Sequence, residues 1–417
     1  MLLQENLAVR ITAELPGPVV HLILTAGRAV SPGQNLYLVG GIVRDLLLWR
    51  QSKDIDIMIE GDAVTVANRL SATLESKPTI HKRFGTATFK LADYRIDLST
   101  CRSETYHHPG SLPEVKPGSI IEDLSRRDFT INAMAVSISP TSFGDLIDLC
   151  NGRQDLEDRL IRVLHDESFK DDATRIMRAV RYEQRLGFKL EKQTARLLRR
   201  DIAMLNTLSG DRLRHELILW LNEQNPELIL KRADRLGILS ALHHSLSWDP
   251  HMTGSFRSAV KLYGKLNIVS LYFALLIYNL NRKRLDVLLS RLNIQGGELL
   301  EVSRQTLLLK NRLDELDQIP AKPSEIYSKL NNFHPVAIMA NAVCAPSTTA
   351  RSNLKLYLKK LRFVKTRLTG NDLCSLGVPA GRSTGIILEK LLAARLDGKT
   401  RSRTGEEKLA LRLLHQL

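Results

Sequence analysis

Two acids at alternate positions of an apolar stretch are the residues in this chain best suited to chemistry. Successive side chains of a strand point to opposite faces, so Asp54 and Asp56 share one face while Ile55 and Ile57 share the other. Adjacent carboxylates raise each other's pKa unless a cation lies between them, and hard ions such as Mg²⁺ prefer oxygen ligands completed by phosphates. The pair therefore predicts a Mg²⁺ site, although acids alternating on a solvated strand face produce the same pattern.

A glycine pair precedes these acids. Gly40 and Gly41 follow a predicted strand at Leu36–Val39, and they precede Arg44 and a short predicted helix over residues 45–48. Glycine lets the backbone approach a phosphate closely, and arginine adds a charge-assisted donor. A lone glycine pair usually marks a turn. The order of strand, glycine turn, helix and acid strand instead favours metal-assisted attack on a nucleoside triphosphate.

The next predicted strands, 86–91 and 94–100, add a third acid. Arg95, Asp97 and Ser99 share one strand face, which makes Asp97 a candidate third carboxylate. An edge-strand acid in water fits the pattern equally well. The segment 106–119, rich in proline and glycine, is predicted to be a loop.

Two arginine-rich stretches follow. In the first, Arg126 and Arg127 meet Asp128, and one guanidinium could fork onto a triphosphate; a surface salt bridge is the alternative.

The second stretch is a predicted helix that begins near residue 168, with a polar ridge of Asp172, Arg175, Arg178 and Arg181. Asp172 accepts hydrogen bonds and Arg175 donates them, so the two can bind the Watson–Crick edge of a base without a template. The alternative is a ladder of intrahelical salt bridges, which contributes only about 0.3–0.5 kcal/mol per pair.

Composition points to a polyanionic partner. The 417 residues include 60 Lys and Arg against 45 Asp and Glu, a net charge of +15, which favours binding to nucleic acid or an anionic membrane. No apolar run is long enough to span a bilayer. Four scattered cysteines predict free, buried thiols in a reducing cytosol, and therefore a cytoplasmic protein.

From about residue 193 the chain has leucine-rich helical periodicity without a fixed repeat. Its C-terminal part is more basic and ends in glycine turns. These features favour contacts with RNA phosphates, against the alternative of a solvated charged face. The candidate contacts are Lys359, Lys360, Arg362, Lys365 and Arg382.

Four stretches together resemble one family, the class II tRNA nucleotidyltransferases and bacterial poly(A) polymerases. They are residues 39–45 with 54–56, residues 126–133, Asp148 with 152–156, and residues 171–181. The resemblance implies an α+β fold, in which a small mixed β-sheet nucleotidyltransferase head is followed by an all-helical neck, body and tail. The implied boundaries are 1–145, 146–225, 226–340 and 341–417, with the tail holding tRNA.

The resemblance also implies site roles. Asp54 and Asp56 hold Mg²⁺, with Asp97 as the candidate third catalytic carboxylate. The nucleotide is bound by a larger set of residues. These are Gly40, Gly41, Arg44 and Arg127 at the triphosphate, Asp172 and Arg175 at the base of CTP or ATP, and Arg178 and Arg181 completing the pocket.

The activity implied is template-independent transfer of CMP and AMP from CTP and ATP to the 3′ end of tRNA. Two departures leave the nucleotide scope open: Asp171 stands where the family usually has Glu, and segment 106–119 resembles that of enzymes adding only the terminal A. A-only, CC-only and poly(A) addition are the enzymatic alternatives. An RNA-binding protein with a retired head is the other alternative, and the intact acid pair argues against it. Oligomeric state is not predicted.

Overall fold

The computed structural model describes residues 6–31, 33–74, 76–81, 85–105, 114–263, 268–317 and 322–415. Two compact units are distinguished by their internal packing. The first comprises Met1–Glu216 and Arg235–Leu242, and the second comprises Leu217–Asp234 and His243–Leu417.

The first unit contains the strands and the N-terminal helices. Its strands are β1 (Leu36–Val39), β2 (Asp54–Ile59), β3 (Thr79–His81), β4 (Thr86–Leu91), β5 (Tyr94–Thr100), β6 (Arg102–Thr105), β7 (Glu114–Pro117), β8 (Met134–Ser137), β9 (Leu146–Asp148), β10 (Leu160–Ile161) and β11 (Lys189–Leu190). Its helices are α1 (Ala8–Glu14), α2 (Gly17–Ala29), α3 (Gly41–Leu47), α4 (Ala63–Leu74), α5 (Ile120–Ser125), α6 (Gly152–Glu157), α7 (Ser168–Asp171), α8 (Thr174–Leu186), α9 (Lys192–Asp201), most of α10 (Gly210–Leu221), and α12 (Ile238–Leu242).

Within the described residues, seven strands form one sheet in the order β3-β4-β5-β2-β1-β8-β9. β2 and β5 run parallel, whereas β1 pairs antiparallel with both β2 and β8. The predicted mixed sheet is therefore confirmed. Because β2 lies inside the sheet, both of its edges are paired and its side chains are held in a fixed register.

The alternation in β2 is as predicted. Ile55 and Ile57 are buried, while Asp54 and Asp56 are solvent-exposed. On one side of the sheet, Tyr37, Val39 and Met58 share an apolar cluster with Ile120 and Leu124 of α5. A one-residue shift of β2 would bury both acids, so burial of its isoleucines fixes the side on which the acids lie.

The prediction of a loop over 106–119 is wrong for its last part. Residues 106–113 lie outside the described residues, but β7 pairs antiparallel with β6 in a two-stranded ribbon. Pro117 is the last residue of β7. Proline is tolerated at such a position because only one side of the strand is paired.

Described residues of the second unit form helices. They are α11 (Pro226–Arg235), α13 (Met252–Tyr263), α14 (Ile268–Ile277), α15 (Arg282–Arg291), α16 (Gly297–Lys310), α17 (Pro323–Leu330), α18 (Pro335–Cys344), α19 (Thr348–Lys359), α20 (Gly370–Ser375), α21 (Arg382–Leu396) and α22 (Arg403–Leu414). α14 is buried between Ser270 and Ile277, as expected for a helix that is apolar on all sides. The prediction of a helical chain after the head is confirmed for the second unit, but the predicted all-helical neck, 146–225, also contains the paired strands β10 and β11. The division into neck, body and tail stays a prediction.

A buried carboxylate organises the C-terminal helices. Glu406 of α22 is fully buried, and it accepts hydrogen bonds from the backbone N–H groups of Arg367 (2.7 Å) and Leu368 (3.0 Å). It also pairs with the Arg395 guanidinium at 2.8 Å. One side chain thus joins α21, α22 and the segment that precedes α20.

Two further sequence predictions have structural outcomes. All four cysteines are free thiols, as predicted, but the prediction that they are buried holds for Cys101 alone: Cys150 and Cys344 are half-buried and Cys374 is exposed. No helix among the described ranges has both the length and the apolar character needed to cross a lipid bilayer.

Substituting Glu406→Ala should lower the free energy of unfolding by about 3 kcal/mol, because Arg395 and two backbone donors lose a buried partner. Urea denaturation followed by circular dichroism measures this change. The matched control is Glu407→Ala, which removes a partly exposed carboxylate 3.3 Å from Arg403 and should cost under about 0.5 kcal/mol. Equal effects of the two substitutions would contradict the assigned role of Glu406.

Candidate active site

A cavity of about 580 Å³ opens in the first unit between the glycine turn after β1, α3, β2 and α8. Nine of the predicted site residues line it: Gly40, Gly41, Arg44, Asp54, Asp56, Arg127, Asp172, Arg175 and Arg178. Asp97 and Arg181 are not among its lining residues. Described side chains that sequence reasoning did not assign also face it, namely Asp45, Ser52, Arg102, Arg126, Asp128, Asn132, Tyr182 and Arg185.

The glycine turn leaves space for the guanidinium of Arg127. Gly40 has φ +72° and ψ −125°, a conformation that is strained for residues with a side chain. A Cβ atom on Gly40 would lie 2.7 Å from Arg127 Nη1, so the missing side chain makes room for the guanidinium. The Gly40 N–H donates to the Met134 carbonyl at 3.3 Å and thereby fixes the turn to β8.

One buried acid holds the arginine pair that follows α5. Asp123 is fully buried. It accepts from Arg127 Nη2 at 2.9 Å and also forms an ion pair with Arg126. The acid therefore fixes both guanidinium groups at the edge of the cavity, whereas sequence reasoning had weighed a surface salt bridge.

Arg44 is also held by its neighbours. Its Nε and Nη2 atoms donate to the two carboxylate oxygens of Asp45, at 2.9 and 3.0 Å, and its Nη1 donates to Asn132 Oδ1 at 2.7 Å. Arg44 is only 3% exposed. It contributes positive charge to the cavity from a rigid position, although most of its donors are already in use.

A hydrogen-bond chain continues from Asn132 to α8. Asn132 Nδ2 donates to Asp128 Oδ1 at 3.0 Å, and Arg178 pairs with Asp128 Oδ2 at 2.6 Å. Burial opposes ionisation of Asp128, but the charge of Arg178 and the Asn132 bond keep the pKa of this carboxyl below its ordinary value. The chain connects the glycine turn to the helix that carries the predicted base-reading residues.

Tyr182 lies among cationic groups. The guanidinium carbons of Arg44, Arg181 and Arg178 are 5.4, 5.4 and 5.9 Å from its ring centre. A ring surrounded in this way attracts each cation through its quadrupole. Tyr182 was not among the predicted site residues, because its contact with Arg44 joins residues 138 positions apart and depends on the fold.

The acid pair suits a hard cation. Asp54 and Asp56 lie on the same face of β2, and Asp56 is in register with Asp97 on parallel β5. Crowding by protein atoms raises the pKa of Asp56; Arg127 opposes this rise, while Asp97 and Asp54 add to it. This negative charge is what a bound cation would neutralise, and two carboxylates suffice for Mg²⁺ when a substrate supplies phosphates.

Among the described residues, no group of three or more His, Cys, Asp or Glu side chains has the geometry of a metal site. Asp97 accepts from Thr88 Oγ1 at 2.5 Å and forms an ion pair with Arg95 at 3.0 Å. Its carboxylate is thus engaged within the sheet. Asp54 and Asp56 remain the candidate ligands, and a third-ligand role for Asp97 stays a prediction.

The predicted single helix from residue 168 is two helices. Asp172 has extended backbone angles (φ −140°, ψ 101°) between α7 and α8, and its Oδ1 accepts from the Thr174 N–H at 2.9 Å. Asp residues favour such local bonds over helix continuation. Asp172 therefore lies at a break, and only Arg175, Arg178 and Arg181 share a helix.

Arg175 is 5% exposed and firmly anchored. Its Nη1 donates to Ser168 Oγ at 2.7 Å, and its Nη2 donates to the Arg126 carbonyl at 2.7 Å. The guanidinium therefore has a fixed orientation at the cavity wall.

Arg181 is buried behind the cavity wall. Its Nη2 lies 3.7 Å from Glu216 Oε2, and burial raises the pKa of Glu216, an effect that Arg181 and Arg178 oppose. Arg181 thus supports the ridge from behind, and direct contact with a nucleotide stays a prediction.

The predicted RNA contacts belong to the second unit. Lys359, Lys360, Arg362 and Lys365 lie in or beside a short turn of 3₁₀ helix, Leu361–Phe363, where Phe363 is 62% exposed. Arg382 is exposed at the first position of α21. Their role in binding RNA stays a prediction.

Two sequence families match parts of the chain. Residues 36–162 match the family described as Poly A polymerase head domain. Residues 187–248 match the family described as Probable RNA and SrmB- binding site of polymerase A. The first match contains β1, β2 and the arginine pair after α5.

Curated relatives carry related activities in their names. An A-adding tRNA nucleotidyltransferase of Geobacter sulfurreducens is 35% identical over 98% of this chain and 49% of that protein. A CCA-adding enzyme of Bacillus pumilus is 34% identical over 51% of this chain and 52% of that protein. The chain spans about half the length of these curated relatives.

Solved structures match over the whole chain. A CCA-adding enzyme in complex with ATP has a TM-score of 0.81 and 29% identity, covering 100% of both chains. The Thermotoga maritima CCA-adding enzyme complexed with tRNA has a TM-score of 0.78 and 29% identity, covering 99% of this chain and 100% of that one.

Replacing Asp128→Ala should lower the free energy of unfolding at pH 7 by about 2–3 kcal/mol, because it leaves Arg178 unpaired. The pKa of Asp128 is lowered in the folded state. Its stabilisation is therefore present above its ordinary pKa of about 4 and declines as pH falls through the lower folded value. Urea denaturation at pH 7 and at pH 3 should show a smaller difference from wild type at pH 3.

The control for Asp128 is Glu157→Ala, which breaks an exposed pair with Arg153 at 3.3 Å. It should cost under about 0.5 kcal/mol at pH 7. A difference for Asp128→Ala that grows on acidification would contradict the sign of the pKa shift.

Proposed function

The chain belongs to the family of tRNA nucleotidyltransferases and poly(A) polymerases, and from this premise we propose that it transfers nucleoside monophosphates from nucleoside triphosphates to the 3′ end of tRNA. One observation carries the proposal. A single cavity combines an open acid pair, fixed arginines and a carboxylate–guanidinium pair suited to a base. Mg²⁺ as the cofactor and the cytoplasm as the location are parts of the same proposal.

The fixed arginines would bind the triphosphate. Arg127, held by Asp123 and seated over Gly40, and Arg44, held by Asp45, supply positive charge that needs no reorganisation when substrate enters. Preorganised charge of this kind stabilises a transition state more than mobile side chains can. Their task is to position the α-phosphate in line with the attacking 3′-hydroxyl.

Asp54 and Asp56 would hold Mg²⁺ with help from the triphosphate oxygens. When bound, the ion would lower the pKa of the 3′-hydroxyl and neutralise charge on the leaving pyrophosphate. The bond formed joins the 3′-oxygen to the α-phosphorus, and the bond broken releases pyrophosphate. The proton of the 3′-hydroxyl would pass to solvent water as the new bond forms.

Asp172 and Arg175 would choose the base. Oδ1 of Asp172 is occupied by bonds from Thr174, whereas no described residue bonds to Oδ2, and the side chain faces the cavity. A carboxylate oxygen accepts from the amino group of adenine or cytosine, and a guanidinium donates to the adjacent ring nitrogen. Guanine and uracil present a carbonyl oxygen and a ring N–H instead. This geometry favours ATP and CTP.

Within this scope we propose addition of A to tRNA that already ends in CC. The relative aligned over 98% of this chain is named A-adding, and the composition of segment 106–119 points the same way. Full CCA addition is the second candidate, since the structures matching the whole chain are CCA-adding enzymes. The exposed basic residues around Leu361–Phe363, and Arg382, would contact RNA phosphates through charge.

End sequencing tests the proposal. The full chain is incubated with Mg²⁺ and tRNA transcripts ending in CC or lacking CCA, together with CTP, ATP or both. A single A on the CC-ended tRNA alone is the expected result. CCA on the shorter tRNA supports the second candidate, and long A tracts indicate poly(A) addition. Salt-sensitive tRNA binding without any addition contradicts the proposal and supports an RNA-binding protein.

Substituting Asp54→Asn or Asp56→Asn should reduce the rate of addition by at least about 100-fold, because charge on the leaving pyrophosphate loses its counter-ion. Melting temperatures should stay near that of wild type, since both acids are exposed. The matched control is Asp93→Asn, an exposed acid in the turn after β4 that pairs with Lys53 at 3.1 Å. Wild-type rates in both variants would remove the acid pair from the mechanism.

A further inference from the structure

We infer that Arg212 of α10 is a positioning residue for base choice, because it fixes the carboxylate of Asp172 in one orientation. The inference rests on the proposed role of Asp172 at the base. Arg212 stands four residues before Glu216, which is the spacing of an intrahelical salt bridge. Its partner is instead 40 positions away, across the break between α7 and α8.

The carboxylate of Asp172 is bound on one side. Arg212 Nη2 donates to Oδ1 at 2.6 Å, and the Thr174 N–H and Oγ1 donate to the same atom at 2.9 and 2.7 Å. All three bonds leave Oδ2 without a described partner. Arg212 therefore distinguishes two oxygens that are chemically equivalent in a free carboxylate.

This distinction matters because a carboxylate can turn about its bond to Cβ. Without Arg212, Thr174 alone would hold Oδ1, and neither of its groups carries a charge. The Arg212 bond joins two ionised groups, and it therefore adds a Coulomb attraction that the uncharged Thr174 donors lack. The carboxylate held in this orientation accepts a hydrogen bond from an amino group but repels a carbonyl oxygen.

The position of Arg212 is itself supported. It lies on α10 in the first unit, one helical turn before Glu216, whose carboxylate is 3.7 Å from Arg181. On one side of α10, Arg212 thus pairs with the acid Asp172, and Glu216 lies beside the cation Arg181 of α8. Arg212 is about one third exposed in its side chain, so a substitution is tolerable for folding.

The measurement is the affinity of the full chain for ATP and for GTP in the presence of Mg²⁺, with kcat and KM for A addition. Arg212→Ala should weaken ATP binding and raise KM by about tenfold, the effect of losing a hydrogen bond to a charged group. GTP binding should change less, so the ATP preference should fall by a similar factor. kcat at saturating ATP should change by less than threefold, and KM for tRNA should stay at its wild-type value.

Two further variants separate positioning from folding. Arg214→Ala, on the same helix, breaks an i,i+3 pair with Asp211 at 2.6 Å and should leave the ATP preference unchanged. Arg212→Lys keeps the charge and should restore part of the preference, which also covers the case in which Arg212→Ala folds poorly. Wild-type ATP preference in both Arg212 variants would overturn the inference.

A double variant identifies the route of action. If Arg212 acts through Asp172, adding Arg212→Ala to Asp172→Asn should cause no further loss of ATP preference. Additive losses would overturn the inference while leaving the role of Asp172 intact. A wild-type ATP preference in Asp172→Asn would instead overturn the proposed base recognition, and the inference with it.

Discussion

Concentrated positive charge around one cavity is the constraint on which this structure depends. Described residues lining it include seven arginines and five aspartates. Guanidinium groups so close together repel one another unless acids or carbonyl oxygens lie between them. Accordingly Arg44 is held by Asp45, Arg127 by Asp123 and Arg178 by Asp128. Each of these cations is thereby fixed in position, and the lining arginines still outnumber the lining aspartates, which suits a triphosphate substrate.

The acids around the cavity divide by how many of their oxygens are used. Asp123 is fully buried, and each of its carboxylate oxygens accepts a hydrogen bond from an arginine, which makes it a positioning group. Asp54 and Asp56 are exposed on β2, where they are available to a cation and a substrate. Asp172 lies between these two kinds of acid, because its described hydrogen bonds all end on Oδ1 and Oδ2 remains available to a ligand in the cavity. Buried acids thus fix the site, and the exposed oxygens carry its chemistry.

Much of this arrangement could be predicted where the signal is local. Alternation along β2 placed Asp54 and Asp56 correctly, since a strand repeats every two residues. The break at Asp172 was not predicted, because 171–175 contains neither glycine nor proline and the competing bonds come from Thr174. Pairings such as Arg178 with Asp128, 50 positions apart, depend on the sheet and helices coming together, and no spacing rule reports them. The proline and glycine content of 106–119 likewise led to a predicted loop where β7 forms. Pro117 is tolerated there because it ends a strand that is paired on one side only.

The central claim is that side chains, acting without a template, recognise the base in this cavity. A crystal structure of the full chain with Mg²⁺ and an unreactive ATP analogue tests it most directly. We expect the adenine amino group about 3 Å from Asp172 Oδ2, the ring nitrogen facing Arg175, and the triphosphate beside Gly40 and Arg127. Adenine bound away from Asp172 and Arg175, with that pair closed against the protein, would contradict it.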